Sequence, residues 1–211
     1  MKHSIRLQSK IEEFYNSITH GFGAVLAIPA IIYLIYYTFD KGDSYRIIGF
    51  SIYGFTLILL FFLSSIYHGV QSSSLKKFLN KLDHAGIFIF IAGSYTPFLL
   101  ITLRDGLGLY FLILIWIIAI SGVIFELAWF HFAKHYTVWI CLLMGWLALF
   151  QLKPLINLLP FYGTIFLICG GLSFTLGVIF FRMDHIKYAH NIWHLFVLGG
   201  SGFHYVAMYY I

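Results

Sequence analysis

The sequence predicts an all-α membrane protein, a seven-transmembrane helix bundle that forms a single domain over residues 1–211. Three observations predict this fold. Of all residues, 61% are hydrophobic and only 10% are charged. Apolar stretches return at intervals of roughly 20 to 30 residues, a spacing that suits repeated crossings of a bilayer. The lysines and arginines lie in the short gaps between these stretches, where such residues set membrane topology.

Each apolar stretch is long enough to cross the hydrocarbon layer as a helix, the fifth only just. The predicted spans are Ser17–Phe39, Ile47–Tyr67, His84–Leu103, Leu107–Trp129, Tyr136–Leu152, Leu155–Phe181 and His190–Tyr210. A short polar segment, residues 1–16, precedes the first span. A cleaved signal peptide is not expected, because the segment is longer than the charged start of a signal peptide, contains Glu12 and Glu13, and is followed by an apolar run that is long enough to span.

The distribution of lysine and arginine over the two ends of the spans predicts the orientation. Nine lie on the side of the N-terminus, namely Lys2, Arg6, Lys10, Lys76, Lys77, Lys81, Lys134, Arg182 and Lys187. Four lie on the other side, namely Lys41, Arg46, Arg104 and Lys153. The positive-inside rule then places the N-terminus in the cytoplasm and the C-terminus outside. The basic residues that give the net charge of +5 are thus interpreted as topology signals. No nucleic-acid partner is expected, because these residues do not lie along one face.

Ionisable groups at or inside span ends are the most informative residues, because burying such a group in a bilayer costs free energy. They are His20, His68, Asp83, His84, Glu126, His190, His194 and His204. The predicted topology places all of them except His204 toward the cytoplasmic side. His204 lies ten residues beyond His194, which is about 15 Å deeper at the rise of an α-helix. The sequence therefore predicts a site at the cytoplasmic end of the bundle.

Three histidines of this set have the chemistry of a zinc site. His190 and His194 are four residues apart, so both rings lie on one face of a helix, and His68 ends the second span. Three neutral imidazoles with an open fourth position are the ligand set of a catalytic Zn²⁺, which lowers the pKa of its bound water toward neutrality. Asp83, at the start of the third span, is then placed to hold that water or to accept its proton.

Two features near these ligands leave alternatives open. Ser64 lies one turn before His68 on the same face, so its hydroxyl is expected either to reach the site or to bond to its own helix backbone. A second HxxxH pair, His131 and His135, competes for the ligand role. It is the weaker candidate, because it lies in a short gap beside Lys134, where histidines are usually solvated, and no acidic residue follows nearby.

A further set of polar residues is expected to support the site from outside the coordination sphere. Glu13, Asn16 and His20 fall at i, i+3 and i+7, on one stripe of the segment that enters the first span. They either orient a ligand ring or satisfy the start of that helix. His84, next to Asp83, is assigned the same supporting role. Glu126 either supports the site or pairs with a lysine at the membrane interface.

The motifs and their order resemble those of a known family. The matching segments are Glu13-Phe-Tyr-Asn16-Ser-Ile-Thr19-His20, Ser64-Ser-Ile-Tyr-His68, Leu82-Asp83-His84, Gly93-Ser-Tyr-Thr-Pro97 and His190-Asn-Ile-Trp-His194. Together they resemble the hemolysin III proteins, the microbial branch of the progestin and adipoQ receptor family, which includes the adiponectin receptors. The resemblance covers almost the whole chain. It implies seven helices, a cytoplasmic N-terminus and a zinc ion near the cytoplasmic side.

Position by position, the resemblance implies that His68, His190 and His194 bind the metal, with Ser64 as the companion of His68. It also implies that Asp83 faces the metal-bound water. Because the family is similar to alkaline ceramidases, hydrolysis of a ceramide-type amide is expected. The predicted function is therefore zinc-dependent hydrolysis of a membrane lipid amide or ester, with Asp83 as the general base.

Two other functions remain open from the sequence. The first is a non-catalytic membrane receptor or sensor in which the zinc is structural. The second is a pore-forming cytolysin, which ranks lowest because a water-filled path needs polar residues along the full height of the membrane. The outer half of the predicted helices offers little beyond His204 and scattered Ser and Thr. The expected location is a bacterial plasma membrane, with the metal site toward the cytoplasm.

Overall fold

The computed structural model describes residues 8–39, 42–183 and 185–211, and every regular element within them is helical. The helices are α1 (Lys10–Phe39), α2 (Ser44–Gly69), α3 (Ser73–Pro97), α4 (Gly108–Ala128), α5 (Phe130–Ala133), α6 (Thr137–Trp146), α7 (Leu149–Leu158), α8 (Phe161–Arg182) and α9 (Ala189–Met208). A π-helical turn, Phe98–Thr102, continues α3. Lys2, Arg6 and Lys41, which belong to the charge count above, lie outside the described residues.

Within the described residues, six helical segments are long and apolar enough to cross a membrane. They are α1, α2, α3 with its π-helical turn, α4, α6 with α7, and α8. Their outer faces expose large apolar side chains such as Tyr36, Phe55 and Phe150. An apolar surface of this extent is stable in lipid and not in water. The protein is therefore an integral membrane protein.

The predicted seventh span corresponds to α9, which has 20 residues. It is not one of the six apolar segments, because His190, Asn191, His194 and His204 lower its hydropathy. It packs along α8 and against α1. The helix itself is thus present where the sequence predicts it, within two residues at each end.

Two helices begin more than one turn before their predicted spans. α1 starts at Lys10 and not at Ser17, and α3 starts at Ser73 and not at His84. The start of α1 is set by a capping box, in which the Ser9 backbone N–H donates to Glu12 Oε2 at 2.9 Å and the Glu12 N–H donates to Ser9 Oγ at 3.3 Å. Helical hydrogen bonds form between polar residues as well as apolar ones, so both helices extend beyond their apolar segments. Asp83, the candidate base, therefore lies well inside α3.

The predicted boundary between the fifth and sixth spans is wrong. The break lies at Leu159 and Pro160, after α7, and not at Lys153. Lys153 is an exposed residue inside α7, where its long side chain can carry the charge to the membrane surface. Pro160 immediately precedes α8, a position where the missing N–H of proline costs no helical hydrogen bond.

The packing order of the helices explains how distant polar residues meet. α2 packs against both α1 and α3, and α9 packs against both α8 and α1. The hydroxyl of the fully buried Tyr53 on α2 donates to the Ser201 carbonyl oxygen on α9 at 2.9 Å. The end of α2 and the starts of α1, α3 and α9 therefore lie at the same end of the bundle.

Gly93 permits the close approach of α3 to α2. A Cβ at this position would lie 1.9 Å from Oγ1 of the buried Thr56. We expect Gly93→Ala to lower the free energy of unfolding by about 1–3 kcal/mol, the usual cost of overpacking a core. Thermal unfolding in detergent measures the effect. Gly171→Ala is the control, because its Cβ would meet no described atom within 4 Å; equal stability of the two variants would contradict the close contact.

Candidate metal centre

Three histidines from two helices meet at one end of the bundle. The possible ligand atoms of His68, His190 and His194 all lie within 4.8 Å of one another. The ring centroids of His68 lie 5.1 Å from those of His190 and His194, and these two are 4.8 Å apart. The rings are inclined to one another by 57° to 70°, so they surround a common point. This group has the composition and spacing to hold a metal ion.

The protonation of His68 suits metal binding. Its Nδ1 lies 2.7 Å from Glu13 Oε2, and a carboxylate can only accept, so Nδ1 carries the hydrogen and Nε2 carries the lone pair. Nε2 of His68 is buried and has no hydrogen-bond partner in the part of the chain that the structure describes. An unpaired buried nitrogen is costly, and a cation between the three rings would satisfy it. The three imidazoles therefore fit a metal ion.

Two residues of α1, Glu13 and Asn16, contact the helices that carry the three histidines. Glu13 also contacts Lys76, with Oε2 and Nζ 3.0 Å apart. Asn16 is fully buried, approaches His68 Nδ1 to 3.5 Å with its Nδ2, and accepts a hydrogen bond of 2.5 Å from Asn191 Nδ2. Asn191 lies on α9, directly after His190. Glu13 and Asn16 therefore link α1 to both helices that carry the histidines.

Asp83 and Ser64 lie beside this group. Both are buried, with 9% and 2% of their surface exposed. Asp83 interacts with the Ser64 side chain and lies near the rings of His68 and His84. Which of its two predicted partners the Ser64 hydroxyl takes stays a prediction. A carboxylate from α3 and a hydroxyl from α2 therefore lie beside the histidines.

His84 and Glu126 form a second polar cluster, adjacent to the first. His84 Nδ1 lies 2.9 Å from Oε1 of Glu126, whose side chain is completely buried. The Thr137 hydroxyl donates to Glu126 Oε2. Glu126 is therefore paired with a histidine and not with a lysine, and the cluster ties α3, α4 and α6 together beside Asp83.

The other four histidines considered in the sequence analysis take three different positions. His131 and His135 are exposed in and after the short α5. His204 lies among aromatic rings, with centroids 5.4 Å from Phe174 and 6.3 Å from Phe98. His20 is stacked on His194, with centroids 3.6 Å apart. Only His20 among these residues therefore touches the three-histidine group.

Two residues at the site were missed by the sequence analysis, Lys76 and Asn191. Lys76 holds the carboxylate that orients His68, and Asn191 joins α9 to α1. A signal for Asn191 was present, because it lies between the two histidines of the HxxxH pair. Lys76 gave no such signal, because it is one of several lysines in a polar gap.

Glu13 is predicted to tune the metal affinity through His68. We expect Glu13→Gln to weaken metal binding by about 10–100-fold, the usual loss when the partner of a ligand histidine is changed. Competition with a chelating dye measures the affinity. Lys76→Met is the control, since it removes the 3.0 Å ion pair but leaves the bond between Glu13 and His68. An affinity that Glu13→Gln leaves unchanged would show that Glu13 does not orient the ring.

The chain matches a family model and is similar in sequence to known bacterial proteins. The family model described as haemolysin-III related matches residues 8–205. The chain is 43% identical over 192 residues to Hemolysin-3 of Bacillus cereus, covering 90% of this chain and 87% of the relative. It is 38% identical over 193 residues to the Hemolysin-3 homolog of Bacillus subtilis (strain 168), covering 90% and 89%.

A more distant similarity extends beyond bacteria. The chain is 32% identical over 206 residues to the Monocyte to macrophage differentiation factor of Homo sapiens, covering 94% of this chain and 83% of the relative. The residues matched by the family model include all the motifs from Glu13 to His194. The chain therefore belongs to the haemolysin-III family, within the progestin and adipoQ receptor superfamily that its motifs resemble.

Proposed function

We propose that this protein is a zinc-dependent hydrolase of a lipid amide or ester, similar in chemistry to a ceramidase. The observation that carries the proposal is the convergence of His68, His190 and His194 with two flanking groups, the buried Asp83 and Ser64. Three imidazoles leave one position of a tetrahedral metal open, which distinguishes a catalytic from a structural site. A carboxylate beside such a position is the usual proton acceptor in hydrolysis.

The orientation belongs to the same proposal. At the site end of the bundle lie Lys10, Lys76, Lys77, Lys81, Lys134, Arg182 and Lys187, whereas Arg46, Arg104 and Lys153 lie at the other end. The positive-inside rule then puts the site toward the cytoplasm of a bacterial plasma membrane. α9 serves as a seventh span, because 20 residues of helix extend about 30 Å. The N-terminus is then cytoplasmic and the C-terminus is outside.

Each residue at the site has one task in the proposed reaction. A zinc ion, when bound, supplies a Lewis acid and an acidified water. Asp83 would accept a proton from the water that attacks the substrate carbonyl carbon, and would return it to the leaving nitrogen or oxygen as the bond between that atom and the carbonyl carbon breaks. The Ser64 hydroxyl, which interacts with Asp83 before the reaction, would then turn its O–H to the substrate carbonyl oxygen as negative charge develops on it. Glu13 holds the His68 ring in the orientation that directs Nε2 to the metal.

The first test is the metal content of the protein purified in detergent. We expect about one zinc ion per chain, and we expect His194→Ala to remove it because two imidazoles do not complete the site. His131→Ala is the matched control, since it removes one histidine of the other HxxxH pair, and its metal content should equal that of the wild type. A wild-type protein that takes up no zinc would overturn the proposal.

The second test is turnover. Purified zinc-loaded protein is incubated with a short-chain N-acylsphingosine and with a matched lipid ester, and released fatty acid is measured by mass spectrometry. We expect fatty acid from at least one of these substrates, with no release by His194→Ala. A zinc-loaded protein that cleaves neither lipid but gains thermal stability from one of them in a saturable way would instead be a sensor.

A further inference from the structure

His20 on α1 is a fourth imidazole in direct contact with the candidate metal centre. Only 3% of its surface is exposed. Its ring stacks on that of His194, with centroids 3.6 Å apart and an angle of 5° between the planes. Phe61 lies near it, with ring centroids 5.0 Å apart. The ring is therefore buried in contact with two other rings.

The stacking prevents His20 from binding the metal that His194 binds. An imidazole binds a metal at about 2.0–2.1 Å and in the plane of its own ring. Because the two rings are nearly parallel and their centroids are 3.6 Å apart, an ion held in the plane of the His194 ring would lie outside the plane of the His20 ring by more than a zinc–nitrogen bond length. His20 would thus leave a fourth position on such an ion free.

The ring nitrogens of His20 need another partner. Both are buried, and neither has a hydrogen-bond partner within residues 8–39, 42–183 or 185–211. The ring does interact with the backbone of His194, but without the geometry of a hydrogen bond. Buried polar groups without partners are rare and point to a bound molecule.

The surroundings of His20 indicate what kind of group it binds. One turn further along α1, Gly23 packs closely against Phe61 and Leu198, two apolar side chains. A neutral imidazole offers one donor and one acceptor, which suits a hydroxyl or an amide better than a charged group in such an apolar environment. The His20 ring is therefore suited to an uncharged polar group and not to a charged one.

We propose that His20 is a ligand-binding residue whose nitrogens hydrogen-bond an uncharged hydroxyl or amide of the lipid that occupies the open metal position. The proposal rests on the function proposed above, because it requires a metal with an open position. It assigns His20 a role in contact with the ligand, in place of a supporting role for the metal ligands.

The test uses the full-length protein loaded with Co²⁺, whose visible spectrum reports the ligand geometry, and acetohydroxamic acid as the probe. His20→Phe keeps a flat ring for stacking but removes both nitrogens. We expect it to retain the cobalt content and spectrum of the wild type while the Kd of the probe rises about tenfold, as for the loss of one hydrogen bond. His204→Phe, the same change at a histidine away from the group, should leave the Kd unchanged.

A second pair of variants tests hydrogen bonding at this position separately from the aromatic ring. His20→Gln keeps a hydrogen-bond donor and an acceptor. His20→Leu has neither, and its side chain is similar in volume to that of glutamine. We expect the Gln variant to bind the probe about tenfold more tightly than the Leu variant. Equal binding by these two, or an unchanged Kd in His20→Phe, would overturn the proposal.

The outcomes separate the two proposals. A changed cobalt spectrum in His20→Phe would overturn the inference by showing that His20 is itself a metal ligand. A cobalt-loaded protein whose probe binding does not depend on His20 would refute the inference alone. A wild-type protein that binds neither cobalt nor zinc would overturn the proposed function and this inference together.

Discussion

Asp83→Asn is expected to lower the rate of lipid hydrolysis by about 10²–10⁴-fold, the usual contribution of a general base. Asparagine has nearly the same shape as aspartate but accepts no proton. Because Asp83 is not one of the three proposed ligands, the zinc content should stay near one ion per chain. The proton is transferred in the transition state, so kcat should fall while KM changes little. Initial rates and metal analysis on the same preparation measure both quantities.

The control for this variant is Asp105→Asn, since the Asp105 side chain is 98% exposed and lies beyond the far end of α3. It should retain the activity of the wild type. Undiminished turnover by Asp83→Asn would show that Asp83 is not the base. A loss of zinc from the same variant would show instead that Asp83 helps to bind the metal. The two failures are thus distinguishable.

Glu126→Ala is expected to lower the free energy of unfolding by about 3 kcal/mol, as for two buried hydrogen-bonding groups that lose their common partner. The Glu126 carboxylate is completely buried, lies 2.9 Å from His84 Nδ1 and accepts a bond from Thr137. Its removal leaves an imidazole nitrogen and a hydroxyl without their partner inside the bundle. Thermal and chemical unfolding in detergent, followed by circular dichroism, measure the loss.

Thr137→Val is the matched control for this cluster. It removes only the hydroxyl that donates to Glu126 and keeps the shape of the side chain, so we expect a loss of about 1 kcal/mol. If Glu126→Ala were no less stable than Thr137→Val, the pairing of Glu126 with His84 would contribute nothing to stability. Because His84 follows Asp83 in α3, Glu126→Ala should also lower the activity that remains after correction for the folded fraction.

Much of the candidate site follows from local spacing. His190 and His194 share one face because an α-helix places residues i and i+4 one turn apart. The four-residue separation of Ser64 and His68 does the same on α2. Such pairs depend only on helix geometry, which does not change with the packing of the bundle. The sequence could therefore predict each half of the histidine group.

The ends of helices were predicted less well than their existence. Hydropathy detects the segment that suits hydrocarbon, whereas a helix continues as long as its backbone hydrogen bonds and caps allow. The start of α1 carries a local signal, the Ser9–Glu12 capping box, that hydropathy does not detect. For α3 the polar turns before Asp83 are helical, so the position of Asp83 relative to the helix start was mispredicted.

The sequence by itself determined that the protein is helical, lies in a membrane and carries its polar side chains at one end, because composition and helical periodicity are local properties. Only the tertiary structure decided which of these side chains touch. Glu13 meets His68, His84 meets Glu126 and His20 stacks on His194, and each pair joins two helices. Such contacts depend on the rotation and tilt of whole helices against one another, which are set by packing at positions such as Gly93 and Thr56 and not by the spacing of the polar residues.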